Sequence, residues 1–219
     1  MSNSHLAVPS GQRVSFYQLF TTKNLRVEIP LLQRDYAQGR VRETEVRQDF
    51  LRTLYRYLDE GIPFRDLDFV YGRVEQHGTE RACFVPLDGQ QRLTTLFLLH
   101  WYLAQRDGQA EVFQAALGDG KRAYFTYETR SSSREFCQAL VQYRLDNAVC
   151  KTVTSHWRLS AEIKDQAWFY LSWQQDPTIQ SMLIMLDAIH DQFKSSQGYF
   201  AKLIDADKPV ITFLFLNLA

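Results

Sequence analysis

The sequence predicts an α+β fold: a small mixed sheet with flanking helices, followed by a mostly helical second half. Three observations predict it. Segments 68–75 and 82–87 are rich in aromatic and β-branched residues and are separated by a short polar, Gly-containing stretch. The second of them runs through Asp88-Gly89 straight into an apolar-patterned segment of helical length. After about Gly120 the texture becomes helical almost to the end of the chain.

The elements follow in order. Val14–Phe20 and Leu25–Ile29 read as short strands, the second closed by Pro30, which cannot donate to a sheet ladder. Leu31-Leu32-Gln33-Arg34-Asp35-Tyr36 reads as a loop. Glu43–Glu60 is a helix, with Val46, Phe50, Leu54, Tyr57 and Leu58 on one face and Gly61 and Pro63 as stop signals. Asp68–Glu75 and Ala82–Leu87 form a hairpin around Gln76–Glu80. Gln90–Gln105 is the next helix, and Ala123–Tyr127 one more strand. Helices are expected at Ser132–Tyr143, Ser160–Gln174, Thr178–Lys194 and Tyr199–Ile204. Asp176-Pro177 is a clean helix start, with a capping acid before a proline at the first position. The glycines at 108, 118 and 120 suggest a soft boundary across 107–121, which divides the chain into a core (1–110) and a helical continuation (111–219). Val210–Leu218 is apolar, too short to span a bilayer as a helix, and reads as a buried strand or the start of a buried helix. The chain stops just after it without a polar tail, as a segment of a longer protein would.

Composition narrows the class. Of 219 residues, 45% are hydrophobic and 14% aromatic, enough for a sizeable core, which excludes disorder. The 25 basic and 25 acidic residues cancel. Neutrality argues mildly against autonomous DNA binding, which usually rests on a basic surplus, but leaves room for a local patch. Three cysteines without C-x-x-C spacing, and no apolar leader at the start, point to a reducing cytoplasm. Arginines 40, 42, 47, 52 and 56 are interleaved with acids and read as a solvated mixed-charge face. His100 lies in an apolar helix and reads as a core histidine. Trp157, Trp168, Phe169, Tyr170 and Trp173 read first as core and second as a docking face.

The sharpest feature is Leu87-Asp88-Gly89-Gln90-Gln91-Arg92-Leu93-Thr94-Thr95. The first turn of a helix carries amides without internal partners and a dipole that favours anions. Gly89 allows a bulky anion close approach to the backbone, and Arg92, Thr94 and Thr95 add donors, so the turn is a candidate phosphate site. Gln90 and Gln91 can orient a water or read a polar ligand edge. Asp88 can hold a metal-bound water, hold a ribose hydroxyl or polarise the attacking water. A structural alternative stands beside this one: Asp88 as a helix cap with Gln91 three residues on, close to a capping box, in which case the carboxylate competes with an anion for the same amides. In the second cluster, Ile29 through Tyr36, Arg34 can clamp a phosphate and Tyr36 can stack on a base. Alternatively it is a surface loop with an Arg–Asp pair.

Taken together, I-P-x-x-Q-R-x-Y over Ile29–Tyr36, the Tyr-Gly-x-Val strand over Phe69–Val74 and L-D-G-Q-Q-R-L-T-T-L over Leu87–Leu96 resemble the N-terminal domain of GmrSD-type restriction endonucleases. Residues 126–137 and 168–190 are also similar to the family. The resemblance implies a ParB/sulfiredoxin-like core that binds and hydrolyses a nucleoside triphosphate, with Mg²⁺ as a candidate companion through Asp88. It implies catalytic roles for Asp88, Gln90, Gln91 and Arg92, and nucleotide contacts from Gln33, Arg34, Tyr36, Gly89, Arg92, Thr94 and Thr95. It also implies a downstream nuclease domain through which the full-length protein meets foreign, often modified, DNA. Where the family often has an aromatic after the tyrosine, this chain has Gln38. Two other functions fit the same residues: a ParB-like metal-dependent DNA nuclease, and a non-catalytic recognition or scaffold module whose aromatic half docks a partner.

Overall fold

The computed structural model describes residues 11–30, 36–76, 78, 80–128, 131–145 and 157–218. The fold is α+β, built on a six-stranded mixed sheet in the order β1-β6-β3-β4-β2-β5. The strands are β1 (Gln12–Val14), β2 (Arg26–Ile29), β3 (Arg65–Glu75), β4 (Cys83–Asp88), β5 (Phe125–Tyr127) and β6 (Ile211–Asn217). β3 and β4 form the antiparallel hairpin expected from the polar stretch between them. β2 runs parallel to both β4 and β5. The apolar run near the chain's end is a strand, β6, inserted between β1 (antiparallel) and β3 (parallel).

The helices are α1 (Phe16–Phe20), α2 (Thr44–Glu60), α3 (Gln90–Arg106), α4 (Ala110–Leu117), α5 (Ser131–Gln142), α6 (Leu159–Lys164), α7 (Pro177–Phe193) and α8 (Tyr199–Ile204). Asp176 caps α7 as its sequence suggests, accepting from the amides of Thr178 and Ile179, and Ser132 and Ser133 donate to the same carboxylate. Burial opposes that charge, but the hydrogen bonds outweigh it and hold Asp176 below the usual carboxylate range.

Several elements depart from the sequence reading. Val14–Phe20 is not one strand: β1 ends at Val14, and Ser15 with Gln18 forms a capping box that starts α1. Residues 160–174 are not one helix. α6 ends at Lys164, and a 3₁₀ turn follows at Leu171–Gln175. Between them the chain leaves helical geometry, and Phe169 packs its ring against Phe136 and Trp173. The 107–121 stretch, with its three glycines, is not bare loop. It holds α4, whose Phe113 and Leu117 are fully buried. α2 is rotated relative to its apolar pattern: Leu51, Leu54, Leu58 and the stem of Arg47 face the core, while Val46 is 54% exposed.

A single buried cluster runs through residues on both sides of 107–121, from Val14 to Phe215. α3 is its axis. Fourteen of its seventeen residues are buried, the signature of a helix that is surrounded rather than laid on a surface. His100 sits inside it, 4.8 Å from the Phe16 ring. One ring nitrogen meets the Leu96 carbonyl at 2.7 Å, and the other is buried without a partner among the described residues. Burial lowers the His100 pKa from 6.5 to about 4, the bond to Leu96 pushing the other way.

This has a measurable consequence. Between those two values the unfolded imidazole takes up a proton that the folded one refuses, so stability falls as pH drops through this window. By pH 4 the deficit is about 3 kcal/mol. Urea titrations at pH 7 and pH 4 should show the loss shrinking by that amount in His100→Leu. A pH dependence identical to wild type would show that His100 does not carry it.

Candidate functional site

The Asp88-Gly89 turn stands where β4 hands over to α3. Gly89 has φ +90° and serves as the residue before the helix. A Cβ there would come within 2.7 Å of the Val70 side chain, so both the conformation and the contact require glycine. Gly89, the residue before α3, has no side chain with which to cap it. The structural alternative for Asp88 is therefore not realised: its carboxylate turns to Arg92, 3.3 Å away, instead of covering the helix amides.

Opposite the turn, β3 is irregular. Its register with β6 shifts between Asp66 and Phe69, and Asp68 adopts φ +62°, uncommon for a residue with a side chain. The bulge presents the Leu67 carbonyl to the Arg92 guanidinium in a close hydrogen bond and leaves the Asp68 carboxylate 3.8 Å from it. Asp66 points elsewhere, held by Arg13 at 2.7 and 3.1 Å and by the Thr212 hydroxyl at 2.6 Å. A cleft of about 440 Å³ opens between these parts, lined by the turn and Arg92, by Asp66–Asp68, by Gln38, and by Val46 and Phe50 of α2. Asp68 and Asp88 remain well exposed in it, at 85% and 49%.

The other residues singled out from the sequence are placed differently. Gln90 is buried and donates to the Pro86 carbonyl at 2.8 Å, bracing the turn from within. The Gln91 side-chain oxygen accepts from the amides of Ala37 and Gln38 at 2.8 and 3.2 Å, so it latches the loop after the Q-R-D-Y cluster onto α3. Tyr36 is fully buried and its hydroxyl lies 2.6 Å from Thr95, which donates to Gln38 at 2.7 Å. Burial raises the Tyr36 pKa, with Thr95 and Arg47 acting against it. Thr94 meets Tyr127 at 2.8 Å. The hydroxyls of Tyr36, Thr94 and Thr95 are thus engaged by partners within the protein, and none of the three residues lines the cleft. Gln33 and Arg34 lie outside the described residues.

The same loop is clamped from α2. Arg47 donates to the carbonyls of Gln38 and Arg40 at 3.1 and 2.9 Å and to the Thr44 hydroxyl at 3.2 Å. Gly39 presses on the Ser181 carbonyl of α7 so closely that a Cβ would fall 1.8 Å from its oxygen. Sequence reasoning missed Asp68, Gln38, Val46 and Phe50 as cleft residues. The signal for Asp68 was present in Asp66-Leu67-Asp68, two acids flanking an apolar residue next to the predicted strand.

A mixed-sheet domain with a glycine-opened helix at its centre and an arginine between two carboxylates at the helix head is the class that fold and cleft define. The model of the GmrSD restriction endonuclease N-terminal domain matches residues 16–217, and the chain belongs to that family. Comparison with curated proteins gives no match. Among the described residues no helix is long and apolar enough to cross a membrane, and no group of three or more His, Cys, Asp or Glu side chains is arranged to hold a metal ion.

The latch is testable. Gln91→Ala strips the two loop amides of their acceptor, at a cost of about 1–3 kcal/mol. Hydrogen exchange at Ala37 and Gln38 should accelerate, while the α7 amides keep their protection relative to global stability. Unchanged exchange at the two loop amides would remove the latch.

Proposed function

We propose that the cleft at the head of α3 binds a nucleoside triphosphate and hydrolyses it, and that this step regulates DNA cleavage by the restriction protein to which such a domain belongs. The observation that carries the reading is the open start of α3. Gly89 before the helix brings no side chain that could cap the first turn, and Arg92 lines the cleft beside that turn. The cleft volume suits a nucleotide-sized ligand, and its wall pairs apolar Val46 and Phe50 with polar Gln38, the mixture that a base requires.

The charges at the site bear on how phosphate would be held. Arg92 is already shared among the Leu67 carbonyl, Asp88 and Asp68. A bare triphosphate would meet two carboxylates as well as one guanidinium. Mg²⁺ resolves this conflict, because it binds through one or two carboxylates plus phosphate oxygens and keeps the rest of its shell as water. Asp68 and Asp88 are the exposed carboxylates suited to that task, and the ion would supply charge neutralisation at the transferring phosphoryl group. Gln90 and Gln91, committed to the turn and the loop, act as positioning residues in this reading. Orienting the attacking water falls to Asp88. A ParB-like core and a cytoplasmic setting belong to the same proposal, and so does contact with DNA through the full-length protein.

Titration of nucleoside triphosphate with Mg²⁺ against wild type and Arg92→Ala decides the matter. A hydrogen bond to a charged group contributes about 1.5–3 kcal/mol, so affinity should fall by roughly 10- to 100-fold. Phosphate release should fall with it. Equal affinity in the two proteins would take Arg92, and the phosphate assignment with it, out of the cleft.

A further inference from the structure

We propose that the opposite end of the sheet carries a second anion site, a pocket for a phosphate group framed by Arg26, Arg81 and Arg122. Its position follows from topology. Arg26 opens β2, Arg81 lies just before β4 and Tyr124 just before β5, and these three strands run in one direction. Their starts therefore cluster at one sheet end, whereas Asp88-Gly89 follows the other end of β4, roughly 20 Å away along the strand. The pocket there has a volume of about 320 Å³ and is separate from the D-G-Q-Q-R cleft.

Arg81 is the centre of the argument. Its guanidinium lies over the Tyr124 ring, 3.8 Å from the centroid, and its Nη1 donates to the Phe20 carbonyl at 2.6 Å. Both contacts fix the plane of the group. No carboxylate lies within ion-pair reach of it among the described residues, and its Nε and Nη2 donors make no hydrogen bond there. A guanidinium edge held in place with free donors is the geometry that grips a phosphate through two parallel hydrogen bonds. Arg26 adds a second cation whose Nε is buried without a partner among the described residues, although its Nη2 pairs with Glu28 at 3.2 Å. Arg122 adds a third.

Two acids also line the pocket, and their engagements differ. Asp119 closes its own turn, accepting from the amides of Lys121 and Arg122 at 2.8 Å each, which lowers its pKa. Glu80 pairs with Arg122 at 3.3 Å, with both side chains more than half exposed. An exposed pair of this kind contributes little to stability. Glu80 thus occupies, as an exchangeable internal carboxylate, a place that a phosphate oxygen can take. The ligand chemistry is a phosphate group, whether free, on a mononucleotide or in a DNA backbone.

The test uses the full chain with three probes: inorganic phosphate, a nucleoside monophosphate, and a short labelled DNA duplex at fixed ionic strength. Wild type is compared with Glu80→Gln and Arg81→Gln, with thermal melts confirming folding. Glu80→Gln should tighten binding by about threefold, because the competitor is neutralised. Arg81→Gln should weaken it by roughly tenfold. Response to all three probes identifies a general phosphate pocket. Response to the duplex alone assigns the site to the DNA backbone. If Arg81→Gln fails to fold, the exposed Glu80 decides alone. Unchanged or weaker binding of every probe by Glu80→Gln overturns the proposal, as does wild-type affinity in a folded Arg81→Gln.

Discussion

Helix α3 can run through the middle of the core only if the polar groups of its first two turns find partners without water. Everything at the head of the helix follows from that constraint. A buried donor or acceptor without a partner costs about 1–3 kcal/mol, a sizeable share of a domain's net stability. Gln90 meets the demand by bonding back to Pro86, Gln91 by accepting two loop amides, Thr94 through Tyr127, and Thr95 through Tyr36 and Gln38. The partners come from three neighbours: β4, the loop after β2, and β5. Satisfying the helix therefore draws those neighbours together, and the cleft forms in the space beside them.

This divides the Asp-Gly-Gln-Gln-Arg motif by partner. Gly89 makes the turn, Gln90 and Gln91 line the cleft but bond to protein groups, and Asp88 and Arg92 pair with each other within it. The motif is coupled to the loop at residues 36–40, which Gln91 holds from α3 and Arg47 from α2, and which rests through its own Gly39 on Ser181 of α7. Arg47 is buried, and burial lowers its pKa, yet among the described residues it donates to two carbonyl oxygens and a hydroxyl rather than to a carboxylate. Such an arrangement ties the loop by geometry more than by charge. A ligand that shifts the α3 head has a short mechanical path to α2, because the loop touches both.

Local signals made much of this legible beforehand. The β3–β4 hairpin, α2, α3 and the Asp176-capped start of α7 are encoded within a few residues each, as period-two or helical patterning with stop signals at the ends. The α+β class follows from their order. What escaped was set by distant partners. The final apolar run leaves strand and helix open, and the choice is made by β1 and β3, which offer hydrogen-bonding edges from far away in sequence. The aromatic run at 168–173 is helical by pattern, yet Phe136 from another helix draws the Phe169 ring out of register. The candidate site divides the same way. The turn and its glycine were readable, because φ > 0 and a helix start are local properties. The engagement of Gln90 and Gln91 depends on partners in β4 and in the loop after β2, and the entry of Asp68 on a bulge in β3 opposite β6.

A net charge of zero looks at first like poor preparation for phosphate chemistry, but the distribution of charge qualifies that view. Arg92 sits between Asp68 and Asp88, and Arg122 beside Glu80, so at both places the cation is internally neutralised by exposed carboxylates. Exposed pairs are weak and screened by salt, so they hold the arginines near their working positions without committing them. Such a surface attracts few anions at long range, because its field cancels within a Debye length. Under the proposed function, recognition would depend on contact, where an arginine edge can match the geometry of a phosphate. On the proposed function, a neutral domain built this way would discriminate by shape at short range instead of adhering to every polyanion it meets.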